Sequence, residues 1–419
     1  MDKRTFLKNA ATLGLTGLMP FDTLGDWMKP FEDYTASELA DDETFWSEIR
    51  KGYQLKPDYI NLENGYYSFM PQEILEHFIK NIKDINYEGS YYMRTVQYEN
   101  KKKAADQLAA LAGCNAEELI ITRNTTESLD TIIAGQDWKA GDEAIMAEQD
   151  YGAMLDMFKQ VARRHGVVNK IISLPNHPKS DEILDLYANA ITEKTKLLMV
   201  CHMVNITGQI LPIRKICDIA HSKGVKVMVD GAHAFAHIQF SIADLHCDYY
   251  GASLHKWLSV PLGAGILYVR KENIASVWPI FGDEGRKADD VFKLNHTGTH
   301  PVHTDLTIIN AINFHHKIGG ERKEARLRFL QNYWTRPLRN IKNIVINTPE
   351  EANRSCGIAN VGIERMKPSL LAETLLKKYK IWTVAIDGAQ VHGCRITPNF
   401  YTTLEELDTF VKAMKELAA

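Results

Sequence analysis

Between about residues 115 and 270 the chain repeats one alternation, a short uninterrupted apolar run followed by a segment of helical periodicity. The runs are "ELIIT", "DEAIMA", "NKIISL", "KLLMVCHMV", "KVMVD" and "AGILYV". Between them lie segments such as 213–223, closed by Gly224 as a helix C-cap. Runs that are apolar at every position, rather than at every second one, belong to strands covered on both faces. The alternation therefore predicts an α/β fold with a mostly parallel central sheet flanked by helices. Ligands of such a sheet gather at the carboxyl ends of its strands. From about Asn310 the charged stretch "FHHKIGGERKEARLRFLQNYW" predicts one long helix. It leads into a strand-and-helix pattern ending at "LDTFVKAMKELAA", which reads as a smaller, separate α+β unit.

With 419 residues and 45% hydrophobic content, the chain can bury a large core. Its 49 basic and 53 acidic residues are mixed along the sequence without a clustered basic face, so nucleic acid is not an expected partner. The six cysteines, at 114, 201, 217, 247, 356 and 394, form no CxxC pair and no metal-ligand spacing. They read as reduced and mostly buried, and no metal is expected. At the N-terminus, "MDKRTFLKNAATLGLTGLMP" places a basic pair before Phe6, Leu7 and Lys8 and an apolar run over 10–19. That resembles a twin-arginine export signal and predicts a periplasmic location, the cytoplasm being the alternative. Lys3 holds the first basic position and no A-x-A site follows, so an amphipathic helix packed on the body is the competing reading. No segment has the roughly 20 uninterrupted apolar residues of a membrane span.

Asp230 ends "VKVMVD", and Lys256, in "YYGASLHKW", ends the next strand-like run. A carboxylate can hold a pyridine nitrogen protonated, and a lysine amine can form a Schiff base with an aldehyde. Together they describe a pyridoxal phosphate (PLP) site. "RNTTESL" supplies a phosphate cradle, because Asn124 and Glu127 have the spacing of a capping box. The helix it opens would turn free N–H groups toward an anion, with the hydroxyls of Thr125 and Thr126 as further donors. Each signal alone is more often structural; their order and company carry the reading.

With these residues in this order, the chain resembles the aminotransferase class V family of fold-type I PLP-dependent enzymes, nearest to its isopenicillin N epimerase-like branch. The resemblance runs from about residue 58 onward. It is most specific in "VDGAHAFAHIQFSIADLHCDYYGASLHKWLSVPLGAGILYV", where Asp-Gly-Ala, Ser-x-His-Lys and Gly-x-Gly recur at the family's spacing. It implies a signal-like segment and arm over 1–45 and a large PLP-binding α/β domain over 46–300, of which 46–75 contributes to the active site. A small C-terminal α+β domain would cover 301–419.

The resemblance also implies roles. Lys256 would carry pyridoxal 5′-phosphate as a Schiff base and move the substrate α-proton, and Asp230 would pair with the pyridine nitrogen. Asn205 and His233 would lie near the phenolic oxygen. Thr125, Thr126, Ser253 and His255 would hold the phosphate. Tyr151, in "EQDYGAM", would stack on the ring, and a tyrosine there favours the epimerase-like branch. Arg395, in "GCRITPNFYTT", would grip the α-carboxylate in a bidentate pair, although Thr397 and Thr402 replace the family's serine and asparagine. In "YINLENGYYSFMP", Asn64 and Gly65 would come near the substrate carboxylate, with Tyr66 or Tyr67 lining the pocket. "NHTGTH" resembles a loop that crosses a dimer interface, so that Thr299 reaches the partner's phosphate in a homodimer with a shared site. Arg94 offers either a second anion contact or a solvated helix end, while His202 and His237 read as core or strand-end histidines.

The implied activity is α-proton chemistry on an amino acid as small-molecule substrate, of aminotransferase or of epimerase and racemase type. A β- or γ-lyase and a cysteine desulfurase-like enzyme are the alternatives. Desulfuration needs a mobile nucleophilic cysteine, yet 296–348 contains none and Cys356, in "NRSCGIANVGI", reads as buried. From a different class, a catalytically silent PLP-binding protein is weakened by the presence of every residue the chemistry requires.

Overall fold

Strands apolar at every position need cover on both faces, and the computed structural model, which describes residues 27–179 and 181–419, supplies it. A short strand β1 (Ile60–Asn61) precedes the central sheet. That sheet comprises β2 (Leu119–Thr122), β3 (Glu143–Ala147), β4 (Val168–Ile172), β5 (Thr195–Cys201), β6 (Lys226–Asp230), β7 (Tyr249–Ser253) and β8 (Gly265–Val269). Six of them fall on the predicted apolar runs, and β7 is the run before Lys256. Their order across the sheet is β2-β8-β7-β6-β5-β3-β4. Only β8 runs against its neighbours, antiparallel to β2 and β7, while the pairs from β7 to β4 are parallel.

Successive side chains enter opposite cores. On β5, Leu198 and Val200 join one apolar cluster and Leu197 and Met199 the other; on β6, Val227 and Val229 face away from Met228. This is why these runs are continuous: on β5 and β6 neither face is left to water. β4 lies at the edge and has no fully buried position, and "NKIISL" is correspondingly the most polar run.

A second, antiparallel sheet has the order β12-β13-β10-β9. Its strands are β9 (Ile344–Ile346), β10 (Ala359–Ile363), β12 (Val384–Gly388) and β13 (Val391–Ile396). It has its own core, in which Val361 and Ile396 pack with Leu371 and Leu375 of the helix Pro368–Tyr379 and Leu407 and Phe410 of the helix Leu404–Ala418. β11 (Ile381–Trp382) pairs in parallel with β1, and a bridge between Glu63 and Thr397 continues the contact. The segment after β1 thus docks on the C-terminal sheet.

The single helix expected over the charged stretch is two, Val302–Ile318 and Gly320–Thr335. Gly319 breaks it at φ +94°, a conformation that residues with a Cβ rarely adopt. The six cysteines are free, five buried and Cys114 half-buried. The export-signal reading falls on residues 1–26, outside the described residues. Among the described residues no helix is long and apolar enough to cross a membrane.

Candidate active site

The carboxyl ends of five strands open into one cavity. β2 runs into the helix Thr125–Ala134 and delivers Asn124, Thr125 and Thr126, while β3 delivers Tyr151 at the start of the helix Gly152–His165. Cys201, Met203 and Asn205 come from the end of β5, Asp230, Ala232 and His233 from β6, and Ser253, His255 and Lys256 from β7. Arg395 on β13, with Gly65 and Tyr66 from the segment after β1, closes the cavity from the C-terminal side.

Lys256 Nζ lies 3.1 Å from His233 Nε2. Burial lowers the lysine pKa to about 8, against the opposite pull of Asp230. Burial pushes the Asp230 carboxyl up, and the Ala232 N–H, 3.0 Å from Oδ1, and Lys256 partly offset this. His233 is held well below the ordinary histidine range, first by burial and then by the nearby cations of Lys256 and Arg395, so it is neutral. Its carbonyl meets His237 Nδ1 at 2.8 Å, and His237 Nε2 accepts the Gly357 N–H at 2.9 Å. Because Nε2 is an acceptor there, the His237 proton sits on Nδ1 and points at His233. His237 is a fully buried core histidine that also ties the site to the segment before β10; its spacing in the sequence gave no sign of this second role.

At the other end, Asn124 caps the helix by accepting the Glu127 N–H at 2.9 Å. The capping box is one-sided, since the Glu127 carboxylate reaches back to the N–H of Arg123 rather than of Asn124. Thr125 N–H donates to Ser253 Oγ at 2.9 Å, and the two hydroxyls lie 2.7 Å apart, tying the β2 turn to the end of β7. Gly265 permits this approach, for a Cβ there would lie 2.7 Å from Asn124 Cα.

Arg395 does not face the cavity alone. Its Nε donates to Glu63 Oε2 at 3.2 Å, its Nη2 to Glu63 Oε1, and its Nη1 to the Asn205 carbonyl at 3.3 Å. Glu63 was not among the expected site residues, although it adjoins two that were. Asn64 is fully buried and is not among the residues that line the cavity. Its Nδ2 donates to the Thr397 carbonyl at 2.8 Å and its Oδ1 accepts from Tyr401 at 2.9 Å, so it clamps its segment to the C-terminal sheet. Gly65 does line the cavity, and a Cβ there would come within 3.1 Å of Arg395 Cζ. Thr299 and Arg94 are exposed and lie outside the cavity of this chain. Cys201 and Met203 were also missed; the only available signal was their position at the end of a buried strand.

A family model, described as aminotransferase class V, matches residues 68–410. The chain belongs to the aminotransferase class V family. Among family relatives, the isopenicillin N epimerase of Streptomyces clavuligerus is 27% identical over 393 residues, covering 89% of this chain and 98% of that one. A probable cysteine desulfurase of Halalkalibacterium halodurans is 25% identical, covering 82% and 88%. The apo cysteine desulfurase from Thermococcus onnurineus NA1 superposes with a TM-score of 0.79 at 22% identity, covering 88% of this chain and 97% of that one. A C-DES mutant with glycine covalently linked to its PLP cofactor does so with a TM-score of 0.77 at 19% identity, over 86% and 97%.

The fold is therefore that of the class V family, whose cofactor is PLP. The cavity fits that cofactor on its own terms. Asn205 Oδ1, His233 Nδ1 and His255 Nδ1 are buried without a protein partner, and all three residues line the cavity. A carboxylate, an amine, a helix N-terminus with hydroxyls and an exposed tyrosine ring complete a set matched to a pyridine nitrogen, an aldehyde, a phosphate and a ring face.

Proposed function

We propose that the protein is a PLP-dependent enzyme that moves the α-proton of an amino acid, with Lys256 as the transferring group, in transamination or in epimerisation or racemisation. The observation that carries this reading is the Lys256 amine, lowered to about 8, in one cavity with Asp230 and Arg395. A lysine titrating near neutral pH can both take and return a proton. PLP bound here supplies the electron sink that acidifies the α-hydrogen. Asp230 is buried where it can hold the ring nitrogen's proton, and Thr125, Thr126, Ser253 and His255 form the phosphate end. Arg395 anchors the α-carboxylate and so turns the α-hydrogen toward Lys256. Tyr151, about half exposed, covers the ring from the open side. A homodimer would bring the exposed Thr299 to the partner's site.

Persulfide-forming desulfuration is the weaker reading. Cys356 is fully buried with its thiol pushed up to about 12, and the thiol of Cys201 is raised by burial and by Asp150 and Asp230. The test begins with the visible absorption spectrum of purified protein before and after borohydride. A panel of L- and D-amino acids in deuterated water follows, scored for α-deuterium, keto acid and inverted amino acid. Deuterium at the α-carbon of any panel member, with a visible band that borohydride bleaches while fixing the cofactor on Lys256, supports the proposal. Release of sulfur from cysteine without α-exchange overturns it.

A further inference from the structure

Arg395 has five N–H groups. Two, on Nε and Nη2, are held by the two oxygens of Glu63, and one, on Nη1, goes to the Asn205 carbonyl. One N–H on each Nη nitrogen is left. Glu63 is itself fixed, because its Oε1 accepts the Tyr66 N–H at 3.0 Å and its backbone bridges Thr397, two residues beyond the arginine. Both partners are nine-tenths buried, so neither drifts freely into solvent. A guanidinium gripped along one edge cannot rotate about its long flexible stem, and its plane is set.

We propose that Glu63 is a positioning residue that locks Arg395 so that its two remaining N–H groups meet the substrate α-carboxylate as a pair. The proposal rests on Arg395 being the carboxylate anchor. Glu63 also neutralises this wall, so carboxylate recognition here depends on directed hydrogen bonds more than on net charge. Without Glu63 the arginine would be free to swing, and the amino acid would lose orientation while a ligand with no carboxylate would not notice.

The test uses the PLP-loaded full chain and two probes that differ only in the carboxylate, L-alanine and ethylamine, titrated by the shift of the visible band. Glu63→Gln is expected to weaken L-alanine about tenfold and ethylamine less than about twofold. Glu63→Asp, which keeps the charge one methylene further back, is expected to recover part of that discrimination, and it serves alone if the glutamine variant does not fold. Equal weakening of both probes, no change in either, or tighter L-alanine binding would overturn the positioning role. Arg395→Gln separates the two failures. If it discriminates between the probes and Glu63→Gln does not, only the Glu63 proposal falls. If Arg395→Gln does not discriminate, the anchor reading falls, and the Glu63 proposal with it.

Discussion

The amine of Lys256 lies 3.1 Å from Nε2 of His233, a histidine held neutral by burial. Lys256 is thus placed to share its proton with an uncharged acceptor, and its own pKa falls to about 8. Covalent attachment of PLP to a lysine requires the neutral amine. The attachment rate of the apoprotein should therefore rise about tenfold per pH unit below pH 8 and level off above it. Stopped-flow absorbance across pH 6–10 checks this; a flat profile contradicts it.

Asp230 is the last residue of β6, buried beside Lys256. Asp230→Ala should keep the fold and part of the PLP affinity while lowering turnover by about three orders of magnitude, since the ring nitrogen loses its partner. Lys256→Ala should fold and yet show no borohydride-fixed cofactor. Circular dichroism with steady-state kinetics on the amino acid found in the panel measures the first. Mass spectrometry of the reduced protein measures the second.

Ser253 accepts the Thr125 N–H and meets its hydroxyl. Ser253→Ala leaves a buried N–H unpaired, so we expect a loss of about 1–2 kcal/mol in stability and about a tenfold weaker hold on PLP. Urea unfolding and equilibrium dialysis report the two separately. Unchanged PLP affinity would remove Ser253 from the phosphate end.

Lys323 is buried, with Nζ 2.8 Å from the carbonyl of Trp257, the residue after Lys256, and 3.1 Å from His315 Nδ1. Burial lowers its pKa from 10.5 to about 7. The unfolded chain keeps this proton up to its ordinary value and the folded chain gives it up near pH 7. Between those values the unfolded state binds more protons, and stability rises with pH. Below pH 7 the penalty is present in full, on the order of a few kcal/mol. Lys323→Met should flatten the rise between pH 7 and 10 in denaturant unfolding; a variant profile parallel to the original would exclude Lys323 as its source.

Much of the fold was legible because its determinants are local. Strands buried on both faces must be apolar throughout; the six runs became six strands of the central sheet, five of them buried and the more polar one at its edge. The same locality explains the error at Gly319: a charged stretch of helical composition predicts one helix, and the break depends on a backbone conformation that composition does not reveal. Asp230 and Lys256 were legible as a pair because Asp230 ends β6 and Lys256 follows the end of β7 by three residues, and the ends of neighbouring parallel strands lie together.

The rest was decided by contacts between distant segments. Asn64 clamps its segment to the C-terminal sheet, because the pairing of β1 with β11 turns it inward, and no local pattern announces that contact. Glu63 and Arg395, 332 positions apart, meet only because that same docking brings the segment after β1 against β13. The sequence by itself determined the strands of the central sheet, the sheet class and the Asp230 and Lys256 pair, since burial and residue type are written position by position. The tertiary structure alone decided which of those groups share a hydrogen bond, because a bond of about 3 Å between remote residues depends on the packing of everything between them.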